Sequence, residues 1–154
     1  MKNTPSIKQL MITAIASLAF MSSVHAADAL KMELTANKVV RNAQGKVTYL
    51  PVRTAPAGTV IQYKATYTST VDQNINDLAV TLPIPANMTF TGEVSPTSAQ
   101  ASVDNKNYAD LPLMQKVNGK LVNVPLSEYR SIRWNIKLLP AKKSADVSLN
   151  TVTD

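Results

Sequence analysis

The 154-residue chain has no cysteine. Disulfides and thiol chemistry are therefore excluded, and stability must come from packing and hydrogen bonding. Its only histidine is His25, near the start. Without that residue, neither a Ser-His-Asp nor a Cys-His nucleophile can be assembled. Ser-x-x-Lys spacing does not occur, which removes the common Ser-Lys pair. Zinc would have to be held by scattered carboxylates alone. Aromatic residues make up 5% of the chain. They do not interleave with a basic run, so a single-stranded nucleic-acid platform is not expected. No apolar stretch reaches the roughly 20 residues needed to cross a bilayer.

The opening residues read as an export signal. Lys2 and Lys8 give a positive start, and Leu10 to Met21 is apolar apart from Thr13 and Ser17. Val24-His25-Ala26 ends the segment with the small-x-small pattern of a cleavage site. Residues 1–26 are thus expected to be a signal peptide and 27–154 a single domain. The mature product is expected in the periplasm or at the cell surface, with no membrane span. Two of the sixteen basic residues and none of the ten acidic ones lie in residues 1–26; fourteen against ten remain, a net +4. A solvated basic surface accounts for this excess. Its functional counterpart is attraction to an anionic partner.

In residues 27–154, alternation of apolar and polar residues is common and a helical stripe is absent. Leu30, Met32 and Leu34 open a first strand that runs toward Val40. After the turn at Asn42 to Gly45, Lys46 to Val52 returns, and Pro51 marks an end or an edge. In Thr59 to Thr68, Ile61, Tyr63, Ala65 and Tyr67 share one face. The segment from Val71 to Asp77 reads as a polar loop, followed by an alternating strand over Leu78, Val80 and Leu82. Short strands are expected near Met88 to Thr91 and Ala99 to Val103. Asn118-Gly119 is a two-residue hairpin signal. Ile132, Trp134 and Ile136 share a face of a later strand, and Val147 and Leu149 belong to the last. Eight or nine short strands in one domain predict an all-β sandwich.

Three runs carry a family resemblance: Pro56-Ala57-Gly58-Thr59-Val60-Ile61-Gln62-Tyr63, Leu78 to Pro83 and Pro85-Ala86-Asn87-Met88-Thr89-Phe90. With Ile132-Arg133-Trp134-Asn135-Ile136 and the turn and strand up to Leu149, they resemble the bacterial conserved-repeat domain of unknown function (the DUF11 type). The resemblance spans most of residues 30–154. It departs at Ser69-Thr70-Val71 and at Ala141-Lys142-Lys143, where the family usually has an Asn and a Gly, and residues 103–128 look like extra material. It implies an immunoglobulin-like sandwich used as a structural or adhesive module, and it transfers no catalytic residue.

Four groupings merit a chemical reading. Asp72, Asn74, Asn76 and Asp77 imitate the start of a calcium loop, but Asp77 replaces the turn glycine and Pro83 the bidentate Glu; a polar inter-strand loop explains them. Asp104 and Asp110 are a candidate acid pair for glycoside hydrolysis. Trp134 and Tyr63 read as core, whereas Tyr108 and Tyr129 are candidate exposed contacts. A Lys31 or Lys38 bond to Asn150 would staple first and last strands. No catalytic, cofactor-binding or metal residue and no cofactor is assigned. The expected role is a non-enzymatic structural or protein-interaction domain of the envelope. The alternatives are a binder of anionic envelope polysaccharide or a small ligand and, third, a metal- or carboxylate-dependent hydrolase.

Overall fold

The computed structural model describes residues 29–154 together with the backbone of Gln9–Met11. The expected signal, residues 1–26, otherwise lies outside the described residues. The strands are β1 (Gln9–Met11), β2 (Leu30–Arg41), β3 (Val47–Pro51), β4 (Thr54–Pro56), β5 (Val60–Ser69), β6 (Ile75–Pro83) and β7 (Met88–Ser95). They continue as β8 (Gln100–Ser102), β9 (Ala109–Asp110), β10 (Met114–Val117), β11 (Lys120–Asn123), β12 (Ser131–Leu139) and β13 (Ser144–Thr153). One turn of 3₁₀ helix covers Leu126–Glu128.

The chain is an all-β sandwich. One sheet has the order β3-β2-β5-β13-β7 and the other β6-β12-β8-β9, and every pairing is antiparallel. Strands exceed the expected eight or nine because several ladders are only two to four residues long, β4 and β9 among them. After β5 the chain crosses to the second sheet for β6, returns for β7, and crosses again for β8.

The core lies between the sheets. β5 sends Ile61, Tyr63, Ala65 and Tyr67 inward, each at most 4% exposed. They meet Val80 and Leu82 of β6 and Ile132 and Trp134 of β12. Burying a side chain of this size contributes roughly 1.5–3 kcal/mol, which is why the strict alternation of β5 and the inward pair Ile132 and Trp134 of β12 dictate the orientation of both strands. Polar atoms carried inside find partners. Trp134 Nε1 donates to the Pro96 carbonyl at 2.8 Å, and the Tyr63 hydroxyl donates to Met88 Sδ at 3.3 Å.

Three expectations are corrected. β6 begins at Ile75, inside the segment read as a loop; Asp77 adopts φ +50° there, a turn-like conformation within a strand. β7 runs on to Ser95, because β13 offers a long antiparallel neighbour. The first and last strands of the main sheet are separated by β5, which pairs with both, so a Lys31 or Lys38 staple to Asn150 has no adjacent partner. The Asn150 side-chain amide instead donates to Glu93.

Pro51 ends β3, an edge strand. Asn118 and Gly119 both have positive φ, 50° and 78°, and Val117 stands opposite Lys120, the geometry of a two-residue primed turn. Among the described residues, no helix is long and apolar enough to cross a membrane.

Candidate functional site

The outward face of the four-stranded sheet carries an open trough of about 780 Å³, lined by Gln100, Asp110, Arg133, Asn135 and Lys137. Strand register explains why these side chains meet. Arg133 of β12 stands opposite Thr81 of β6 on one side and Gln100 of β8 on the other. Gln100 in turn stands opposite Asp110 of β9. Thr81, Arg133, Gln100 and Asp110 therefore form one row across four strands. The neighbouring row holds Asn135 opposite Ala79. Residues opposite one another in antiparallel strands project on the same face at roughly 4.5–5.5 Å, so register alone builds the row.

Neighbours hold the row in place. Arg133 Nε donates to Thr81 Oγ1 at 3.2 Å, and Gln100 Nε2 donates to Asp110 Oδ1 at 3.1 Å. Lys137 Nζ lies 3.2 Å from Asp77 Oδ1, in an ion pair whose side chains are largely exposed. The Arg133 guanidinium carbon sits 3.6 Å from the centre of the Tyr108 ring. Such a cation–π contact contributes ~0.5–1 kcal/mol at an exposed site. The Tyr108 hydroxyl is 2.8 Å from Ser131 Oγ, which fixes the far end of the ring.

Asp104 orders the loop that leads into Tyr108. Its Oδ1 accepts the Lys106 and Asn107 amides at 2.8 Å each and the Ser102 hydroxyl at 2.8 Å, while Oδ2 accepts the Asn107 side-chain amide at 2.6 Å. Donation from the Asn107 amide, then from Lys106 and the side chains of Asn107 and Ser102, holds the Asp104 carboxyl well below the usual carboxylate range. Asp104 thus organises its own loop, whereas Asp110 is bonded to Gln100. Each of the two carboxylates has its own structural partners.

Tyr129 is corrected from an exposed contact to a core residue. It is 1% exposed, its ring meets Phe90 at a centroid distance of 5.3 Å, and its hydroxyl accepts the Leu113 amide at 2.8 Å. Tyr108 is half-buried under Arg133. The calcium-like segment is spent on structure. Asn74 Oδ1 accepts the Ala141 amide at 3.0 Å, Asp77 pairs with Lys137, and Asp72 lies 3.5 Å from Lys142 Nζ. Sequence reasoning did not single out Arg133, Gln100, Asn135 or Lys137 as site residues. Their outward alternation on β12 is legible, but their convergence depends on register with β6, β8 and β9.

A smaller groove of about 400 Å³ crosses the outer face of the other sheet, between Tyr49, Gln62 and Lys64. Here Lys64 Nζ meets Asp146 Oδ2 at 2.7 Å. Hydrogen bonds from Lys64 and Thr66 lower the Asp146 pKa. The Lys64 cation in this groove is paired with Asp146, as Lys137 is with Asp77 in the trough; the trough differs in also holding Arg133, which contacts Thr81 and the Tyr108 ring. The chain matches no family model, no curated protein and no solved structure.

Proposed function

We propose that this chain is an exported, non-enzymatic structural or interaction domain of the bacterial cell envelope. One observation carries the reading: a row of polar and charged side chains, Thr81, Arg133, Gln100 and Asp110, stands on an open sheet face and is pre-oriented by its neighbours. Pre-orientation lowers the entropy cost of contact, which favours a rigid sheet face as a docking surface. The export signal in residues 1–26 and the resemblance to the DUF11-type repeat domain support the setting.

A second reading, binding of an anionic envelope polysaccharide, is favoured by Arg133 and Lys137. They lie four residues apart on the same face of β12, roughly 13 Å at strand rise, far enough to meet separate charges of a polyanion.

The test is capture from native envelope by the purified chain and by an Arg133→Glu/Lys137→Glu variant, with bound components identified by mass spectrometry. A defined protein retained by the parent and lost by the variant supports the first reading. Loss of a charged glycan instead supports the second. Identical capture by both chains removes the trough from either, and turnover of an envelope substrate by the parent overturns the non-enzymatic reading.

A further inference from the structure

The hairpin β10–β11 belongs to neither sheet. It stands out as a two-stranded ribbon, and such a ribbon is marginal in water by itself. Its root is fastened instead. The Val124 amide donates to the Leu113 carbonyl at 2.8 Å and the Leu113 amide to the Tyr129 hydroxyl at 2.8 Å. Leu113 and Val124 both join the core. Beyond that root the apolar side chains are uncovered: Met114 is 50% exposed, Val117 45%, Leu121 64% and Val122 38%.

Register sorts them onto both faces. Met114 and Lys116 share a face with Asn123 and Leu121, while Gln115 and Val117 share the other with Val122 and Lys120. Each face therefore presents two apolar side chains and one lysine. Docking onto a flat protein surface would cover one face and leave the other in water. Immersion in a medium that surrounds the ribbon covers both. The charge is equally one-sided: from Leu111 to Ser127 there are two lysines and no acidic residue.

We propose that this ribbon is a membrane-contact element that inserts its tip into the headgroup–acyl boundary of a bilayer rich in anionic lipid. Val117, beside the Asn118-Gly119 turn and opposite Lys120, and Leu121, one rung behind it and opposite Lys116, enter the apolar zone. Lys116 and Lys120 stay at headgroup level, their stems lying along the apolar zone. The contact is peripheral and reversible, and it does not depend on the trough around Arg133.

The chain has no cysteine, so Leu121→Cys provides a single attachment point for an environment-sensitive fluorophore. A second label at exposed Leu138, outside the ribbon, serves as control. Because the readout is local, residues 1–26 do not confound it. With vesicles of phosphatidylethanolamine and phosphatidylglycerol, the label at 121 shifts to the blue and resists an aqueous quencher, while that at 138 does not. Lys116→Gln/Lys120→Gln weakens the partition about 30-fold, the factor two lysines supply at about 1 kcal/mol each. A label at 121 that stays in water on these vesicles overturns the proposal. So does an equal response on pure phosphatidylcholine, which would leave the lysines without a role. Shielding only by a membrane-free envelope extract would place a protein on the ribbon instead and also overturn it. Loss of capture through the trough, with the shift at 121 intact, would separate the two proposals.

Discussion

The Tyr129 hydroxyl accepts the Leu113 amide at 2.8 Å, joining the residue that follows the 3₁₀ turn to the root of the projecting hairpin. Both residues are buried. The bond therefore gives a buried N–H its partner and anchors the ribbon to the sandwich at once. Tyr129→Phe removes only the acceptor. We expect a loss of about 1–3 kcal/mol in denaturant unfolding, the cost of an orphaned buried donor. Amides of residues 114–123 should also exchange faster, while those of β5 and β13 keep their order of protection. An unchanged ribbon in hydrogen exchange would show that the Val124–Leu113 bond alone holds the root.

Thr153 ties the end of the last strand to the turn before β5. Its Oγ1 accepts the Thr59 amide at 2.9 Å and donates to the Pro56 carbonyl at 2.7 Å, at a site 2% exposed. Thr153→Val keeps the shape but removes both bonds. The Pro56 carbonyl keeps the Thr59 hydroxyl at 2.7 Å, and the Thr59 amide keeps a longer contact to that carbonyl at 3.3 Å. Unfolding free energy should therefore fall by roughly 0.5–1.5 kcal/mol, the net worth of a hydrogen bond. Thr153→Ser, which keeps the hydroxyl, should recover most of it. Equal midpoints for the Val and Ser variants would mean that the hydroxyl contributes nothing.

Tyr63 and Tyr67 face the core, and burial pushes both phenols up to about 12. An unfolded tyrosine titrates near ~10. The raised folded value means that their contribution is complete below pH ~10 and is lost as pH rises toward 12. Over that interval each costs of order 2 kcal/mol of stability. Phenolate absorbance followed with far-ultraviolet circular dichroism should show these two ionising together with unfolding. Full ionisation of all five tyrosines in a chain that keeps its sheet signal would contradict the packing described.

Asp104 has the opposite sign. Its folded pKa lies below the ordinary value, so its contribution is present above about pH 4 and is lost as pH falls toward the folded pKa. Amides 106 and 107 should keep their exchange protection from pH 8 to 5 and lose it in more acid solution. Asp104→Ala should abolish it at every pH and release Tyr108 from Arg133, visible as a shift of the Tyr108 ring resonances. Unchanged rings in that variant would show that the Ser131 contact alone seats Tyr108.

Several features were legible from single residues. The run Ile61, Tyr63, Ala65, Tyr67 and the pair Ile132, Trp134 placed β5 and β12 with the correct face inward, because a one-residue slip would expose every apolar group. Asn118-Gly119 marked the hairpin, since both positions need positive φ. Ile75 to Asp77 was not legible as strand. Its side chains are polar or partly exposed, and β6 gains that length by pairing with Leu138 and Leu139 of β12.

What the sequence alone determined is the all-β class, the inward residues of β5 and of the start of β12, and the turn that closes the ribbon. These follow from period-two alternation and from backbone rules that act within a few residues. What only the tertiary structure decided is which distant residues meet. Thr81, Gln100, Asp110 and Arg133 become one row through pairing across three strand interfaces. Tyr129 turns from a surface candidate into a core residue because a backbone amide sixteen positions away supplies a partner for its hydroxyl. Register and burial are collective properties of the packed sheets, so no local stretch of the chain encodes them.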